Sequence, residues 1–420
     1  MRSHYKRIGD YVTLIKLKNS DGAISSLKGI NINKHFMPSV ANVNGTDLST
    51  YRVVKKNQFA FNPMHVGRDE VLPISMLEDD EPIIVSPAYV VFEVKDEEEL
   101  LPAYLMMWCR RSEFDRNAWF MTDNSVRGGF SWTDFCDMEL PVPSIEKQRE
   151  IVREYNVVND RIALNEQLTQ KLEDTAQTIY KQWFVDFEFP ISKEYAESIG
   201  NPELEGKPYK SAGGEMRYCE ALEQDIPINW RNGCFGDLAN QFSGYSFKGE
   251  QYNFVEGTTV IRGENVTEGK LRFDTHKRWN LALPNKAKSC FLMEKDIVIG
   301  MDGSKVGKNW ALISSYQLPL LLAQRVCCVR AKTKEHQLWL YISIKVRKFA
   351  EYVSQVHTGT SVPHISGDQI MAFGVLIPDN LDLLNQYNKI TEKLINRFFI
   401  KQEETLQLVE LRKIILQKMS

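Results

Sequence analysis

The sequence predicts an α+β protein with two globular α/β domains, each ending in a long helix, related by a pseudo-two-fold internal repeat. The stretch from Ser144 to Phe184 contains neither Pro nor Gly, and its apolar residues recur at helical spacing. A similar stretch closes the chain 236 positions later, where Arg161 aligns with Arg397. Before each helix lie short runs of β-branched and aromatic residues bounded by Gly, Pro or Asn, which are typical of strands.

The first long helix has a well-marked beginning. Pro143 ends the preceding segment, Ser144 is a suitable N-cap, and Glu146 places an acid in the first turn, where the helix dipole favours it. At about 1.5 Å per residue, such a helix would be roughly 60 Å long. One apolar stripe runs along it through Ile151, Tyr155, Val158, Ile162, Leu172, Ala176, Ile179 and Trp183.

The internal repeat extends beyond the helix. The same shift aligns Ser125-Val126 with Ser361-Val362, and Leu140 with Leu376. Two amphipathic helices can match by chance at a few positions, but an ungapped match that includes the preceding segment disfavours chance. The sequence therefore predicts a first domain at 1–143, a central helix at 144–185, a linker at 186–230, a second domain at 231–380 and a C-terminal helix at 381–420.

Each domain mixes strands with helices. Ile8-Gly-Asp-Tyr11 opens the first domain, and Phe235-Gly-Asp-Leu238 opens the second. The residue pattern predicts short β-rich segments at 51–61, 83–94, 258–261, 296–299 and 325–329. Helical segments are predicted at about 100–118 and 335–356.

Composition and charge narrow the class of protein. The 420 residues are 43% hydrophobic and 25% charged, as in ordinary globular domains, and no apolar run or signal peptide predicts contact with a membrane. Seven scattered cysteines without a Cys-x-x-Cys pair indicate reduced thiols in a cytoplasm rather than a zinc site. Residues 231–380 carry 19 Lys and Arg against 13 Asp and Glu, which hints at a polyanionic partner.

Three phrases around the linker resemble a known family. They are Lys181-Gln-Trp-Phe-Val-Asp-Phe-Glu-Phe-Pro190, Gly206-Lys-Pro-Tyr-Lys-Ser-Ala-Gly-Gly-Glu215 and Ile226-Pro-Ile-Asn-Trp230. Together with the alternation of domain and long helix, they resemble the specificity subunit of type I restriction–modification enzymes over essentially the whole chain.

The resemblance implies a division of labour. Each target recognition domain would read one half of a bipartite asymmetric target in double-stranded DNA, and the two helices would pair as an antiparallel coiled coil that sets the spacing. Two modification subunits would supply S-adenosylmethionine chemistry on adenine, and restriction subunits, two where present, would add ATP and Mg²⁺-dependent cleavage. This chain would hold no cofactor and perform no catalysis. The helix contacts predicted for pairing and for docking of partner subunits are Ile162, Leu172, Ile179, Trp183, Phe398, Leu408, Ile415 and Met419.

Candidate DNA contacts lie at turns that combine hydroxyls, amides and cations. Such groups suit phosphate oxygens, and Gln and Arg also pair bidentately with adenine and guanine edges. In the second domain the candidates are Ser243, Tyr245, Lys248, Ser304, Lys305, Lys308, Gln324, Arg325, Thr358, Thr360, Ser361 and His364. In the first domain they are Asn57, Asn62, His65, Arg68, Asn124, Ser125 and Arg127.

Two alternatives stay open at this stage. A protein-interaction scaffold built on the helices would explain them as a simple packing surface, without sequence-specific DNA binding. An enzyme would need an active site, and the candidate motifs are incomplete. Asn62-Pro-Met-His65 lacks the second Pro and the aromatic residue of an amino-methyltransferase loop, and Gly303-Ser-Lys-Val-Gly-Lys308 is one residue short of a phosphate loop.

Overall fold

A computed structural model of the chain describes residues 5–39, 45–64, 66–122, 129–274, 276–359 and 362–419. The chain divides into two compact units. Unit 1 comprises Met1–Leu164 and Thr405–Ser420, and unit 2 comprises Asn165–Glu404. Each unit therefore contains part of the central helix and part of the C-terminal helix. Within the described residues, no helix combines the length and apolar character that crossing a membrane requires.

Unit 1 alternates short strands with short helices. Its strands are β1 (Tyr5–Arg7), β2 (Val12–Ile15), β3 (Lys28–Ile30), β4 (Phe36–Pro38), β5 (Arg52–Val54), β6 (Phe59–Phe61), β7 (Ile74–Met76), β8 (Ile83–Val85), β9 (Val90–Val94) and β10 (Glu139–Pro141). Its helices before the long one are α1 (Ile8–Tyr11), α2 (Val66–Asp69), α3 (Pro102–Cys109), α4 (Ser112–Phe120) and α5 (Trp132–Asp137). The first long helix, α6, spans Ile145–Phe184.

The core of unit 1 is an antiparallel sheet covered by helices. Its strand order is β2-β9-β6-β7, and the pairs β1-β10, β3-β4 and β5-β8 lie beside it. Phe59 and Phe92 stack with ring centroids 4.8 Å apart, and Phe135 packs 4.8 Å from Phe92. These large fully buried rings pack the sheet against α5.

Unit 2 contains more strands. After α7 (Lys193–Ser198) come β11 (Met216–Cys219), β12 (Gln224–Pro227), β13 (Trp230–Cys234), α8 (Phe235–Leu238), β14 (Ala239–Ser243), β15 (Thr258–Ile261), β16 (Val266–Thr267), β17 (Lys270–Leu271), β18 (Lys277–Trp279), α9 (Asn285–Lys288), β19 (Ile297–Gly300), β20 (Trp310–Leu312), β21 (Leu320–Leu322) and β22 (Val326–Ala331). The chain then forms α10 (Lys334–Val346), α11 (Phe349–Val356), α12 (Gly367–Met371), β23 (Gly374–Pro378) and α13 (Leu381–Gln417). Short 3₁₀ helices lie at Leu48–Thr50, Pro202–Leu204, Glu220–Leu222, Gly249–Gln251, Gly263–Asn265 and Ser315–Gln317.

The same topology recurs in unit 2, as the internal repeat predicts. Its four-stranded sheet has the order β14-β22-β19-β20, which matches β2-β9-β6-β7 strand for strand, and β13 pairs with β23 as β1 pairs with β10. A three-stranded sheet, β18-β15-β21, lies beside it. The repeated fold confirms the predicted fold class.

A lysine holds the first helical turn in the same way in both units. Lys95 donates to the carbonyl oxygens of Gly9 and Asp10 at 3.1 and 2.9 Å. Lys332 donates to the carbonyls of Gly236 and Asp237 at 2.9 and 3.0 Å. Carbonyls at the end of α1 or α8 have no partner inside so short a helix, and the ammonium group satisfies them.

The two long helices pack against each other in both units, and the contacts in unit 1 show that they run antiparallel. In unit 1, Asn159 of α6 contacts Arg412 of α13 at 3.2 Å, and Glu154, earlier in α6, contacts Lys418, just after the end of α13, at 3.5 Å. The residue numbers therefore increase in opposite directions along the two helices. In unit 2, Tyr180 and Phe184 of α6 pack against Tyr387 of α13, with ring centroids 6.2 and 5.0 Å apart. The antiparallel pairing expected from the resemblance is confirmed.

The segment at 186–230 has more structure than a plain linker. It contains α7 and the antiparallel pair β11-β12, and it buries Phe187, Ile191 and Tyr209. Phe189 stacks between Tyr209 and Trp230, with centroid separations of 4.6 and 5.4 Å. Its Pro and Gly residues mark turns, but its aromatic residues join a core, which the breaker residues alone do not reveal.

Lys34 forms a buried ion pair that joins the β3-β4 hairpin to α4. Its ammonium group lies 2.6 Å from the carboxylate of Asp115, contacts the carbonyl oxygen of Cys109 and faces the Phe114 ring at 4.7 Å. Burial lowers the pKa of Lys34 and raises the pKa of Asp115, and each partner opposes the shift of the other. Removing either charge would leave the other charge largely buried without a counter-charge and would destabilise the fold.

Replacing Lys34 with Met is expected to destabilise unit 1 by about 3–5 kcal/mol, because the largely buried Asp115 carboxylate loses its counter-charge. Met and Lys adopt the left-handed backbone conformation at this position (φ 63°) with the same free-energy cost, so the substitution tests the side chain alone. Urea unfolding measures the change. The double variant with Asp115→Asn should recover much of the loss. Lys147→Met, which breaks an exposed pair with Glu150, is the control, and an equal loss in both single variants would contradict the prediction.

Candidate nucleic-acid interface

The candidate turns of unit 2 meet at one end of its four-stranded sheet. Ser243 pairs with Cys327 and Gly300 pairs with Val326, so the end of β14, the start of β22 and the end of β19 coincide. Strand β20 pairs with β19 through Ile299 and Trp310, which brings the turn between these two strands to the same end of the sheet. We call this end, where Ser243, Gly300 and Val326 lie, the edge of unit 2. Antiparallel register thus gathers three segments that are far apart in sequence.

Asp302 connects the candidate residues at this edge. Its carboxylate lies 3.3 Å from the guanidinium group of Arg325 and accepts a hydrogen bond from the imidazole of His364. Arg325 is 63% exposed at its side chain, so most of its donors still face solvent. Asp302 is not among the DNA contacts predicted from the sequence, although an acid beside a basic turn is a signal that it can orient the cations.

The turn at Thr358 and His364 joins the same edge through its backbone. Thr358 and His364 exchange two backbone hydrogen bonds of 2.8 Å, and the amide of Gly303 donates to the carbonyl of Pro363 at 3.1 Å. The amide of Ile365 donates to the carbonyl of Met301 at 2.9 Å. His364 is therefore fixed beside Asp302 by main-chain contacts. Thr360 and Ser361 lie outside the described residues.

The turn between β19 and β20 presents cations. Ser304, Lys305 and Lys308 are exposed, and the amide of Lys308 donates to the carbonyl of Lys305 at 2.9 Å. The side-chain amide of Asn309, oriented to donate, reaches the carbonyls of Lys305 and Gly300 at 2.9 and 3.2 Å. A strand, not a helix, follows this turn, so it lacks the helix N-terminus of a phosphate loop.

The backbone at this edge requires unusual conformations. Arg325 has φ 70°, and its carbonyl accepts from the amide of Met301 at 3.0 Å. Gly307 has φ 84°, and a Cβ there would lie 2.9 Å from Val353. A non-glycine residue at positive φ costs free energy that the surrounding hydrogen bonds must offset, so the backbone conformation of Arg325 is specified by its neighbours.

Ser243, Tyr245 and Lys248 extend the edge along the chain after β14. Ser243 is exposed, and its hydroxyl contacts the sulfur of Met301 at 3.8 Å. Tyr245 is half-buried, and its carbonyl accepts from the amide of Gln324 at 2.9 Å. Lys248 is exposed immediately before a 3₁₀ helix. The structure thus brings most described candidates of unit 2 to one edge, with Lys248 farther along the chain.

The candidates of unit 1 do not all lie together. Asn62 follows β6 at the end of the sheet equivalent to the edge in unit 2, and its side chain accepts from the amide of Met64 at 3.0 Å. Asn57 precedes β6, at the opposite end, where it has φ 64° and donates to Glu97 at 3.2 Å. Both were predicted as DNA contacts, but strand β6 lies between them and places them at opposite ends of the sheet. His65, Asn124, Ser125, Arg127 and the side chain of Arg68 lie outside the part that the structure describes.

The predicted helix contacts lie on the apolar stripes. In unit 1, Ile162, Ile415 and Met419 are buried in one cluster and Leu408 packs against it. In unit 2, Leu172 and Phe398 are buried in another cluster, against which Ile179 and Trp183 pack. These side chains stabilise each unit. Apolar residues that remain exposed lie elsewhere on the helices, at Val157, Leu164, Ile390, Ile400, Leu406, Leu411 and Ile414.

The chain matches proteins of known class. A family model described as type I restriction modification DNA specificity domain matches residues 227–408. The HindI specificity subunit of a type I restriction enzyme from Haemophilus influenzae is 21% identical over 433 residues, which cover 92% of this chain and 91% of that protein. The MjaIX specificity subunit from Methanocaldococcus jannaschii is 20% identical over 284 residues, 67% of this chain and 60% of that protein.

A solved structure shares the fold. The S subunit of a type I restriction–modification system from M. genitalium superposes with a TM-score of 0.57 over 99% of this chain and 95% of that one, at 14% identity. The fold similarity thus extends beyond the segment matched by the family model, into unit 1.

Proposed function

We propose that this chain, which belongs to the specificity subunits of type I restriction–modification enzymes, reads a bipartite DNA target with one unit for each half. The observation that supports this proposal is the duplicated sheet, whose equivalent edges carry different side chains. In unit 2 the edge presents Arg325, Gln324 and Lys305, whereas the equivalent edge of unit 1 carries Asn62. Two units of one fold with different edges would read two different half-sites.

The groups at the edge of unit 2 divide by chemistry. Lys305, Lys308 and the hydroxyl of Ser304 suit phosphate oxygens, which would fix the register of the unit on the duplex. Arg325 and Gln324 suit base edges in the major groove, because each can form two parallel hydrogen bonds. Asp302 would hold the guanidinium of Arg325 in place and would itself act as a positioning residue.

The long helices would set the distance between the two half-sites. Each helix is continuous and contributes to both units, and paired helices resist bending more than a flexible linker. The exposed apolar side chains on the helices would dock two modification subunits, with two restriction subunits where the system has them. S-adenosylmethionine, ATP and Mg²⁺ would bind to those partners, and this chain would act in the cytoplasm as a non-catalytic subunit.

A genome-wide map of methylated adenines tests this function. Cells that express the cognate modification subunit are compared with and without this chain. The expected result is a gapped two-part motif that appears only when the chain is present. If no modification depends on the chain, the function is wrong, and a scaffold that binds protein through the helices becomes the better explanation.

Single substitutions at the edge of unit 2 should separate specificity from affinity. Arg325→Ala is expected to weaken binding about tenfold and to relax the choice of base at one position of one half-site. Lys305→Gln should weaken binding to all sequences and reduce the slope of log K against log salt by about 1. Binding of the complex with the modification subunit to target variants, at several salt concentrations, measures both.

The control for these variants is Lys334→Gln. Lys334 is an exposed cation that follows β22 at the opposite end of the same sheet. Its loss removes the same charge from unit 2 and should leave both the base preference and the salt slope unchanged. An identical response of Lys305→Gln and Lys334→Gln would show that only the net charge of the unit matters.

A further inference from the structure

Two large apolar side chains protrude from the turn that precedes β15. Phe254 is 68% exposed and its neighbour Val255 is 81% exposed. Neither belongs to the helices that would dock partner subunits, and neither is used by the edge described above. Removing two adjacent apolar side chains from water is favourable, so these residues form a candidate contact surface for a ligand.

The turn that carries them is held firmly. The side-chain oxygen of Asn253 accepts from the amides of Val255 and Glu256 at 2.7 and 3.0 Å. The backbone of Asn253 exchanges hydrogen bonds of 2.9 and 2.7 Å with Arg278 of β18. Gly257 closes the turn at φ 103°, where a Cβ would lie 2.3 Å from the carbonyl of Trp279. Phe254 therefore lies on a structured turn, so the entropy cost of ordering this backbone on binding is small.

Cations and aromatic rings surround the base of this turn. The ammonium of Lys277 faces the rings of Tyr252 and Phe254 at 5.1 and 5.8 Å, and the guanidinium of Arg262 faces Tyr252 at 5.7 Å. Residues 231–380 carry six more basic than acidic residues. A polyanion with apolar surfaces between its charges complements this arrangement better than another protein surface would.

The turn is connected to the candidate DNA-binding edge. Strands β15 and β21 are parallel, with Ile261 opposite Leu322, so Arg262 and Gln324 follow the two strands at the same end. The turn with Phe254 precedes β15 at its other end, and the Arg262 guanidinium connects the two ends by reaching the Tyr252 ring. On the other side, Tyr245 packs on Phe247 at 5.0 Å, and Phe247 packs on Tyr252 at 6.2 Å. One continuous set of packed residues thus links the base of the turn to the edge with Arg325.

We propose that Phe254, with Val255 beside it, inserts as a wedge between neighbouring base pairs of the half-site while Lys277 contacts the adjacent phosphate. The inference rests on the proposed DNA-binding function and adds a contact of a different kind. Apolar side chains flanked by Lys or Arg can separate base steps and bend the duplex, which makes recognition depend on how easily a step is deformed. Phe254 would read deformability, whereas Arg325 reads base edges.

The test uses the complex with the modification subunit and a duplex that contains the methylated motif, with 2-aminopurine placed in turn at each adenine of the half-site. Wild type is expected to raise the fluorescence at one step, where stacking is lost. Phe254→Ala should abolish that rise and weaken binding about tenfold at an unchanged salt slope, whereas Phe254→Leu should retain both. Lys277→Gln should lower the salt slope by about 1.

Met293→Ala is the matched control, because Met293 is 57% exposed on the turn before β19. This turn lies at the end of the four-stranded sheet opposite the edge with Arg325. An unchanged affinity and fluorescence profile for Phe254→Ala would overturn the wedge alone. Weaker assembly of Phe254→Ala with the modification subunit in the absence of DNA would show a protein contact and would also overturn it. If wild type itself binds all duplexes equally, the proposed function fails, and the wedge fails with it.

Discussion

A chain that ends at Glu404 is expected to lose the folded core of unit 1, although every strand of that unit is retained. Ile415 of α13 and Met419, which follows that helix, are 3% and 2% exposed, and they share one buried cluster with Ile151, Tyr155 and Ile162 of α6. Removing one buried side chain of this size costs about 2–5 kcal/mol, and a whole domain is stable by only about 5–15 kcal/mol. Loss of the terminal segment therefore approaches the full stability of the unit.

Hydrogen exchange resolved by mass spectrometry measures this effect unit by unit. Amides of β6 and β9 should exchange rapidly in the truncated chain, whereas those of β19 and β22 should stay protected. A pair of neighbouring substitutions supplies the control: Ile415→Ser should reproduce much of the loss, and Ile414→Ser, at a position that is 52% exposed, should not. Full protection of β6 after truncation would show that unit 1 folds without α13.

Exchange of residues 231–380 for the corresponding segment of a relative is expected to change one half of the methylated motif and to leave the other half and the spacing intact. The two ends of this segment lie next to each other. Strand β13 pairs with β23 from Trp230 opposite Pro378 onward, and the amide of Asp379 donates to the carbonyl of Asn229 at 3.3 Å. Neighbouring junctions let a segment be replaced without moving the rest of the chain.

The exchanged segment must also keep its contacts with the helices of unit 2. Arg347 donates to the hydroxyl of Tyr180 at 3.1 Å and to the carbonyl of Phe184 at 2.9 Å, and Trp339 packs on Tyr180 at 5.8 Å. A donor segment that retains these residues should fold with the recipient helices. Methylation mapping reads the outcome, and reinsertion of the chain's own segment through the same junctions is the control. A motif altered in both halves would contradict recognition by separate units.

Sequence periodicity located the long helices closely. The expected helix from Ser144 to Phe184 is observed as Ile145–Phe184, and the C-terminal helix begins at Leu381 as the repeat predicts. Ser144 accepts from the amide of Lys147 at 3.4 Å, in keeping with its predicted role as N-cap. Long unbroken amphipathic patterns are set by local spacing, which a sequence displays directly.

Predictions of the shorter elements were less accurate, because tertiary contacts divide these elements. The β-rich segment predicted at 51–61 forms two strands in different sheets, separated by a turn in which Asn57 has φ 64°. The helix predicted at 335–356 breaks at Lys348, which has φ 57° although no Gly or Pro marks the position. A left-handed residue without Gly is held there by its surroundings, and local propensity contains no trace of them.

The sequence by itself determined the duplicated α+β plan, the two long helices and the types of residue suited to contact DNA. Only the tertiary structure decided which of these residues act together. It separated Asn57 from Asn62, joined Arg325 and His364 through Asp302, and assigned the end of α13 to the core of unit 1. The physical reason is that spacing and composition are local, whereas strand register and helix pairing bring together residues as far apart as Ile162 and Ile415.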